Sequence, residues 1–534
     1  MSGFDTDFAI IGSGFGGSVS AYRLASKGYS VRVIEQGRRF KPGDFARSNW
    51  NLVKSIWAPM LGLRGILSIT TLKDVVIFHG AGVGGGSLVY ANTHLEPFDG
   101  FFNDPRWKEL GPDWRTELAP FYREARRMLG SNEPPAVFES DKALKSVLDD
   151  LGTGDSFKKH TVGVFFGEPG REYPDPYFGG EGPPRTACTF CGACMIGCNV
   201  GAKNSLDKNY LYLAEKLGAE VIPDTRVTDI RPIAGPGGER DGSAGYEIHT
   251  RRMGLAFGGS VIRARHVVVS AGVLGTVDLL NRCRERGSLP RLSPRLGSYV
   301  RTNSESIQGV NVRGRDISRG VAISSGGVTP DGTHIEIVRY GPRADAMAFL
   351  STVHTPGGEL PRQVYFLGAF LKKPFATLRN AVWPFGWSKS VAIVLAMQAI
   401  DNSMQLVFRR RWWWPFGKAL TSDWGDKKPP PTFMPAAHDV AERLASKMGG
   451  EPGSVLPEVV LDTTTTAHIL GGCPMGRDAD DGVIDTSNRV FNYQGMWVID
   501  GSMIGANLGV NPTLTIAAMA ERAMSMIPPK PSTP

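Results

Sequence analysis

Four of the six cysteines fall in one short stretch, in the order Cys188-x2-Cys191-x2-Cys194-x3-Cys198. This is the spacing of a bacterial ferredoxin segment, where closely set thiolates hold an iron-sulfur cluster. In two-cluster ferredoxins the fourth cysteine serves the other cluster and is followed by proline. Here Asn199 follows, and no second such segment exists. A single 3Fe-4S or 4Fe-4S cluster is the first reading, with Cys188, Cys191 and Cys194 as ligands and Cys198 as the fourth. A four-thiolate zinc site and free thiols are the alternatives. A cluster accepts single electrons, so it would drain a reduced partner centre toward an acceptor protein or a quinone. Of the other two cysteines, Cys283 reads as an ordinary helix residue.

The partner centre has a seat at the amino terminus. Asp7-Phe8-Ala9-Ile10-Ile11 reads as a buried strand and runs into Gly12-Ser13-Gly14-Phe15-Gly16-Gly17, a G-x-G-x-x-G in position. A helix pattern follows through Val19, Tyr22, Leu24 and Ala25, ends at Lys27-Gly28, and yields to a second strand, Ser30 to Ile34, closed by Glu35. Gly12 makes the turn, Gly14 lets a pyrophosphate approach the backbone, and Gly17 lets helix and strand pack. The helix N-terminus faces the pyrophosphate, and Glu35 accepts from the adenosine ribose. Far downstream, Gly82, Gly84, Gly85 and Gly86 form a second glycine-rich loop, with Ser87 and Asn92 able to hydrogen-bond to a planar ligand laid against it.

The carboxyl end supplies a third piece. The strand Met496 to Asp500 leads through Gly501 to Gly509-Val510-Asn511-Pro512-Thr513. Asn511 suits an N-cap and Pro512 a first helical residue, which predicts a buried helix from there to Ile527. The positive end of such a helix would stabilise a bound group that turns negative on reduction.

Together these pieces resemble the glucose-methanol-choline (GMC) oxidoreductase family, most closely its cholesterol oxidase-like members, which hold FAD non-covalently. The resemblance covers the first hundred residues, about Ala187 to Asn281, and the last seventy. It implies that Val227 meets the adenine and that Ala271 and Gly272 lie near the FAD. Asp500, Gly501, Asn511, Pro512 and Thr513 would complete the cofactor site. It implies a catalytic pair, His468 and Asn511, and it places Cys473 in a family position. It also implies a glutamate base, Glu336, in Thr333 to Tyr340, although that match is short. An alcohol does not release hydride until its hydroxyl proton is leaving or tightly held, and a histidine with an asparagine amide can hold that oxygen. The plain alternatives are a helix cap for Asn511, a satisfied buried histidine for His468 and a solvent-facing strand residue for Glu336. The resemblance implies a bulky apolar alcohol as substrate, a 3-hydroxysteroid or sterol first. The cysteine segment departs from that branch and favours a dehydrogenase over an oxidase.

Stepping from these residues to the elements that must carry them, 534 residues exceed one core of about 250 to 300. The reading is α/β, with a Rossmann-type FAD-binding part assembled from 1–100, 187–300 and 457–534. An α+β substrate part with an antiparallel sheet takes 101–186 and 301–456. Sixty-six glycines fit many close backbone approaches, and a net charge of +8 by itself selects no partner. Met1 to Asp7 has no basic leader, and the longest apolar run, Val391 to Met397, is too short to span a bilayer. A reducing cytoplasm is expected. Trp57 to Leu67 reads as a mobile loop, while Leu360 to Trp387 and Arg409 to Trp414 mix aromatics with Arg362, Lys372, Lys373 and Arg379. Such stretches suit either peripheral contact with the inner membrane surface or a lid or buried subunit contact. Nucleic acid is disfavoured because no phosphate-tracking stripe recurs. Pro429 to Pro431 and the end after Ile527 read as connectors. A FAD and iron-sulfur relay without alcohol turnover, or NAD chemistry in a colourless protein, are the functional alternatives.

Overall fold

A computed structural model describes residues 3–111, 113–254, 258–411, 414–425 and 432–531. Its first sheet runs in the order Glu220–Ile222, Val31–Ile34, Thr6–Ile11, Gly259–Val269, Tyr246–Arg252, Thr225–Pro232, with Met496–Val498 also paired to Gly259–Val269. The strands around Thr6–Ile11 are parallel, in a register that sets Ile10 beside Val33 and Val268. Every residue of Thr6–Ile11 is buried, as a central parallel strand covered on both faces requires. Three distant stretches of chain therefore share one Rossmann-like sheet, as expected. Helix Phe15–Ser26 packs between this sheet and the carboxyl-terminal helix Thr513–Ser525.

The second sheet is antiparallel throughout, in the order Ser351–Val353, Glu451–Val455, Ser306–Asn311, Val391–Met397, His334–Val338, Ile323–Val328, Lys158–Lys159. One face packs on helices Glu139–Asp150 and Pro435–Met448 through Ile335, Ile337 and Val394. Side chains alternate along a strand, so His334 and Glu336 lie on the opposite face.

Several expectations change. Trp57 to Leu67 is not a bare loop: Trp57–Ala58 pairs with Leu63–Arg64, Trp57 is buried, and only the tip, Met60 and Leu61, is strongly exposed. Leu360 to Trp387 contains the helices Arg362–Lys372 and Pro374–Val382, and Arg409 to Arg411 lies on the strand Gln405–Arg411. Trp412, Trp413 and Pro429 to Pro431 lie outside the described residues. No helix among the described residues is long and apolar enough to cross a membrane.

Candidate active site and cysteine cavity

Gly12 sits at φ 100°, in the left-handed region, and a Cβ there would collide with the Ser270 carbonyl. Side chains on Gly16 and Gly17 would strike the Ile499 and Gly12 carbonyls, so these glycines let the helix close onto the strand ends. Gly14 differs, because nothing lies within 4 Å of where its Cβ would be. That open N-cap, followed by Phe15, is where a phosphate can reach the helix N-terminus. The second glycine loop arrives at the same point, since a Cβ on Gly85 would stand 2.8 Å from Gly14 Cα. Gly82 packs under Leu88, Gly84 precedes the short turn Gly85–Leu88, and Gly86 faces the Phe15 ring.

Glu35 is buried, and burial pushes its carboxyl up against the donors that pull it back. Those donors are Gly37 N at 2.8 Å, Ser13 Oγ at 2.7 Å and Ser13 N at 3.1 Å. Ser87 Oγ is engaged within the loop, donating to Gly84 O and accepting from Leu206 N. Asn92 is buried at φ 72°, and both its side-chain atoms lack a partner among the described residues. A buried amide left this way is costly, and a planar polar ligand would satisfy it. The residues present thus fit a bound dinucleotide.

Val227 is buried at a register shift between Thr225–Pro232 and Tyr246–Arg252. Ala271 caps the helix Gly272–Glu285, which also contains the buried Cys283. Asp500, expected as a cofactor contact, is taken up by protein donors. Gly272 N and Thr276 Oγ1 bond one oxygen, and Ser502 N and Oγ bond the other. It clamps the middle segment to the carboxyl-terminal one beside Gly501.

His468 follows the strand Thr464–Thr466, which pairs with Val75–Gly80. The helix expected to start at Pro512 begins at Thr513, with Pro512 in the capping position, and it ends at Ser525. Asn511 therefore does not cap it. Its Nδ2 lies 3.1 Å from Glu336 Oε2 and 3.4 Å from His468 Nε2, while Oδ1 has no partner among the described residues. Asn303 holds this loop by donating to Val510 O and accepting from Gly509 N. His468, Asn511 and Glu336, from three distant stretches, meet at one point, with Asn511 and Glu336 buried and His468 part-buried.

Four neighbours escaped the sequence reading: Glu305, Glu458, His160 and His334. Glu305 pairs with His468 Nδ1 and accepts from Ala467 N. Burial opposes a charge on His468, but the Glu305 carboxylate outweighs it and raises the imidazole above its ordinary value, with Glu336 adding to the effect. Behind Glu305, burial and that carboxylate push Glu458 up to about 8. Glu336 is fully buried and in contact with His160 and His334. Glu305 belongs to an unbroken polar run, Arg301 to Ser306, that reads as surface loop and is buried at every residue. Nothing local to it signals that burial.

The cysteine segment lies apart from these groups and lines a cavity of about 390 Å³. Cys188, Cys191, Cys194 and Cys198 all face it, and none is in a disulfide. Burial and then the neighbouring thiols push Cys188 up, while burial pushes Cys194 up to about 11 against the pull of Lys203. Among the described residues no three of these sulfurs lie within 4.8 Å of one another. One tetrahedral zinc would hold its sulfurs about 3.8 Å apart, closer than any three of these sulfurs come among the described residues. Lys203 is buried beside it and donates to Cys194 O at 2.9 Å, Leu88 O at 3.0 Å and Tyr90 O at 2.9 Å. It thereby ties the cysteine loop to the second glycine loop.

A Rossmann-like sheet, two facing glycine loops and a part-buried histidine with asparagine are the fold and site of a FAD-dependent oxidoreductase acting on CH–OH groups. Residues 10–43 match the NAD(P)-binding Rossmann-like domain, and residues 185–284 and 417–520 match the two GMC oxidoreductase models. A cholesterol oxidase of Acinetobacter baumannii is 45% identical over 99% of this chain and 96% of its own. One of Mycobacterium tuberculosis (strain ATCC 25618 / H37Rv) is 45% identical over 98% of this chain and 92% of its own. The crystal structure of pyridoxine 4-oxidase from Mesorbium loti shares the fold at a TM-score of 0.59 and 15% identity, covering 98% of this chain and 99% of that one. The chain belongs to the GMC oxidoreductase family.

Proposed function

We propose that this protein oxidises a bulky apolar alcohol, a 3-hydroxysteroid or sterol, with FAD held non-covalently. The observation that carries the proposal is the meeting of His468, Asn511 and Glu336 at one point, in a chain 45% identical to cholesterol oxidases. The segments 1–100, 187–300 and 457–534 form the cofactor part, and 101–186 with 301–456 the substrate part. Bound FAD, cradled by the two glycine loops, would supply the acceptor for the hydride of the alcohol carbon. Asn511 holds the alcohol oxygen, and His468 Nε2 takes its proton, made basic by Glu305 behind it. The helix end at Thr513 offers a positive field to negative charge on the cofactor.

The same proposal gives Cys188, Cys191, Cys194 and Cys198 a 3Fe-4S or 4Fe-4S cluster, which would accept single electrons for a protein or quinone in place of oxygen. The cavity lined by the four cysteines supports it, and so does Lys203 beside it, which burial pushes down to about 7 and whose charged form an anionic cluster would favour. Exposed Trp50, Leu371, Phe375, Trp383 and Phe385, with Lys372 and Lys373 on the same helical stretch, support peripheral membrane contact. Trp50 touches Phe385, so the amino-terminal and central parts of this patch are continuous.

Freshly isolated protein is expected to absorb as a flavin in the blue with a broad reducible shoulder. Cys194→Ser should remove the shoulder and keep the flavin bands. A wild-type spectrum without the shoulder would remove the cluster, and one without flavin bands would remove the whole reading. Anaerobic addition of a 3β-hydroxysteroid should bleach the flavin, and a short primary alcohol should not. Equal bleaching by both would sink the substrate assignment.

A further inference from the structure

The cysteine cavity has two ends of different character. At the inner end Cys194 and Lys203 are buried, and Lys203 reaches the second glycine loop through Leu88 O and Tyr90 O. At the outer end Cys191 is exposed and shares the lining with the exposed Arg47 and Arg343, and among the described residues no carboxylate lines the cavity. Two loops build that mouth and are laced together. Arg343 sits at φ 77°, and its carbonyl accepts from Ser48 Oγ at 2.9 Å and Asn49 N at 3.3 Å. Asn49 Nδ2 donates to Ala344 O, and its Oδ1 accepts from Ala346 N. The next residue, Trp50, packs its ring against Phe349 and Phe385, and Phe385 packs in turn against Trp383. Three residues of chain reach at most about 11 Å, so the mouth at Arg47 and the aromatic patch that starts at Trp50 share one face. That patch faces water to an unusual degree, Trp383 being 69% and Phe385 60% exposed.

We propose that this face rests on an anionic bilayer and that the cysteine cavity delivers electrons there to a membrane-dissolved quinone. The proposal rests on the reading of Cys188, Cys191, Cys194 and Cys198 as ligands of an iron-sulfur cluster. Aromatic rings beside basic side chains suit a membrane interface, because the rings enter the apolar boundary while guanidinium groups meet lipid phosphates. Arg47 and Arg343, in a lining without carboxylates among the described residues, give the mouth the sign that anionic headgroups require. A soluble acidic carrier would use the arginines alone. A bilayer uses the arginines and the rings together, and it holds a lipophilic acceptor at the level of the exposed Cys191. The inner end receives electrons because Lys203 ties Cys194 to the loop that cradles the cofactor, and the outer end releases them because Cys191 reaches the surface. The alcohol loses a hydride and its hydroxyl proton, two electrons and two protons in all, and becomes a ketone. The electrons pass the cavity singly, the protons go to solvent, and one quinone takes up two electrons and two protons to become a quinol.

The test uses holoenzyme reduced beforehand with dithionite under nitrogen, so that substrate uptake plays no part. Vesicles of phosphatidylcholine and phosphatidylglycerol carrying a long-chain ubiquinone are the acceptor, and a short water-soluble quinone is the control. The wild type is expected to sediment with these vesicles and to be reoxidised by them. Arg47→Glu/Arg343→Glu/Trp50→Ser/Phe385→Ser should lose both by at least about tenfold, with reoxidation by the soluble quinone within about twofold of wild type. Retained flavin and iron-sulfur absorption reports that the variant is folded. Should it lose its cofactors, Arg47→Gln/Arg343→Gln on anionic against phosphatidylcholine-only vesicles gives the same comparison. Cys194→Ser should still sediment with the vesicles and be reoxidised by them at least about tenfold more slowly. Unchanged sedimentation in the rim variants, or bound wild type reoxidised no faster than Cys194→Ser, would overturn the proposal. Faster reoxidation by a soluble acidic cytochrome than by the vesicle quinone would also overturn it and assign the arginines to a protein partner. A wild type without iron and labile sulfide would sink the cluster reading and the electron exit with it, while sedimentation still reported whether the face binds lipid.

Discussion

Two histidine–carboxylate contacts meet at Asn511 with opposite polarity. On one side a carboxylate, Glu305, stands behind a histidine and raises it. On the other, two histidines stand behind a carboxylate, Glu336, and lower it. The same residue types raise a histidine in the first case and lower a carboxylate in the second, because the sign of the shift follows which group is buried and which groups face it. Asn511 touches both front groups, Glu336 through Oε2 and His468 through Nε2.

The comparison breaks most completely at His468. His468→Ala should lower the rate of flavin reduction by about 1,000-fold with FAD retained, measured by anaerobic stopped-flow absorbance; a rate within tenfold of wild type would mean that the base lies elsewhere. Asn511→Ala removes the link between the two sides, and its expected loss is about 100-fold in kcat/KM. Glu305→Gln sharpens the contrast by changing pH dependence. His468 works as the neutral base, and Glu305 raises its pKa, so losing that charge should move the acidic limb of kcat/KM to lower pH by about one unit. The rate at neutral pH should fall by about tenfold, and a limb that stays in place would separate Glu305 from the base. The smallest change is Gly326→Ala, which crowds His160 and the Ile335 carbonyl. Chemical denaturation should show a stability loss of about 1 to 3 kcal/mol, with the rate of flavin reduction falling only a few-fold.

How much of this was legible along the chain depends on the distance over which each signal acts. Strand Thr6–Ile11, the turn at Gly12, helix Phe15–Ser26 and the acidic end at Glu35 are set by neighbours in sequence, and all lie where the pattern put them. At Asn511-Pro512-Thr513 the helix starts one residue later than the pattern predicts: a proline after asparagine looks like a capped helix start, yet the Asn511 side chain is drawn across to Glu336. Ser87 and Asn92 were indistinguishable as polar residues after a glycine loop. Only packing shows Ser87 satisfied by Gly84 and Leu206 while Asn92 is left without a partner among the described residues.

The sequence by itself determined the Rossmann-like start, the family, the His468 and Asn511 pair and the cysteine spacing, because each is carried by residue types at short, fixed separations. The tertiary structure alone decided that Glu305, His160 and His334 stand behind the reacting groups, that the run Arg301 to Ser306 is buried, and that the four cysteines enclose one cavity tied through Lys203 to the second glycine loop. These facts arise from burial, and burial is a property of what the rest of the chain lays over a residue, which no local pattern of polar side chains encodes.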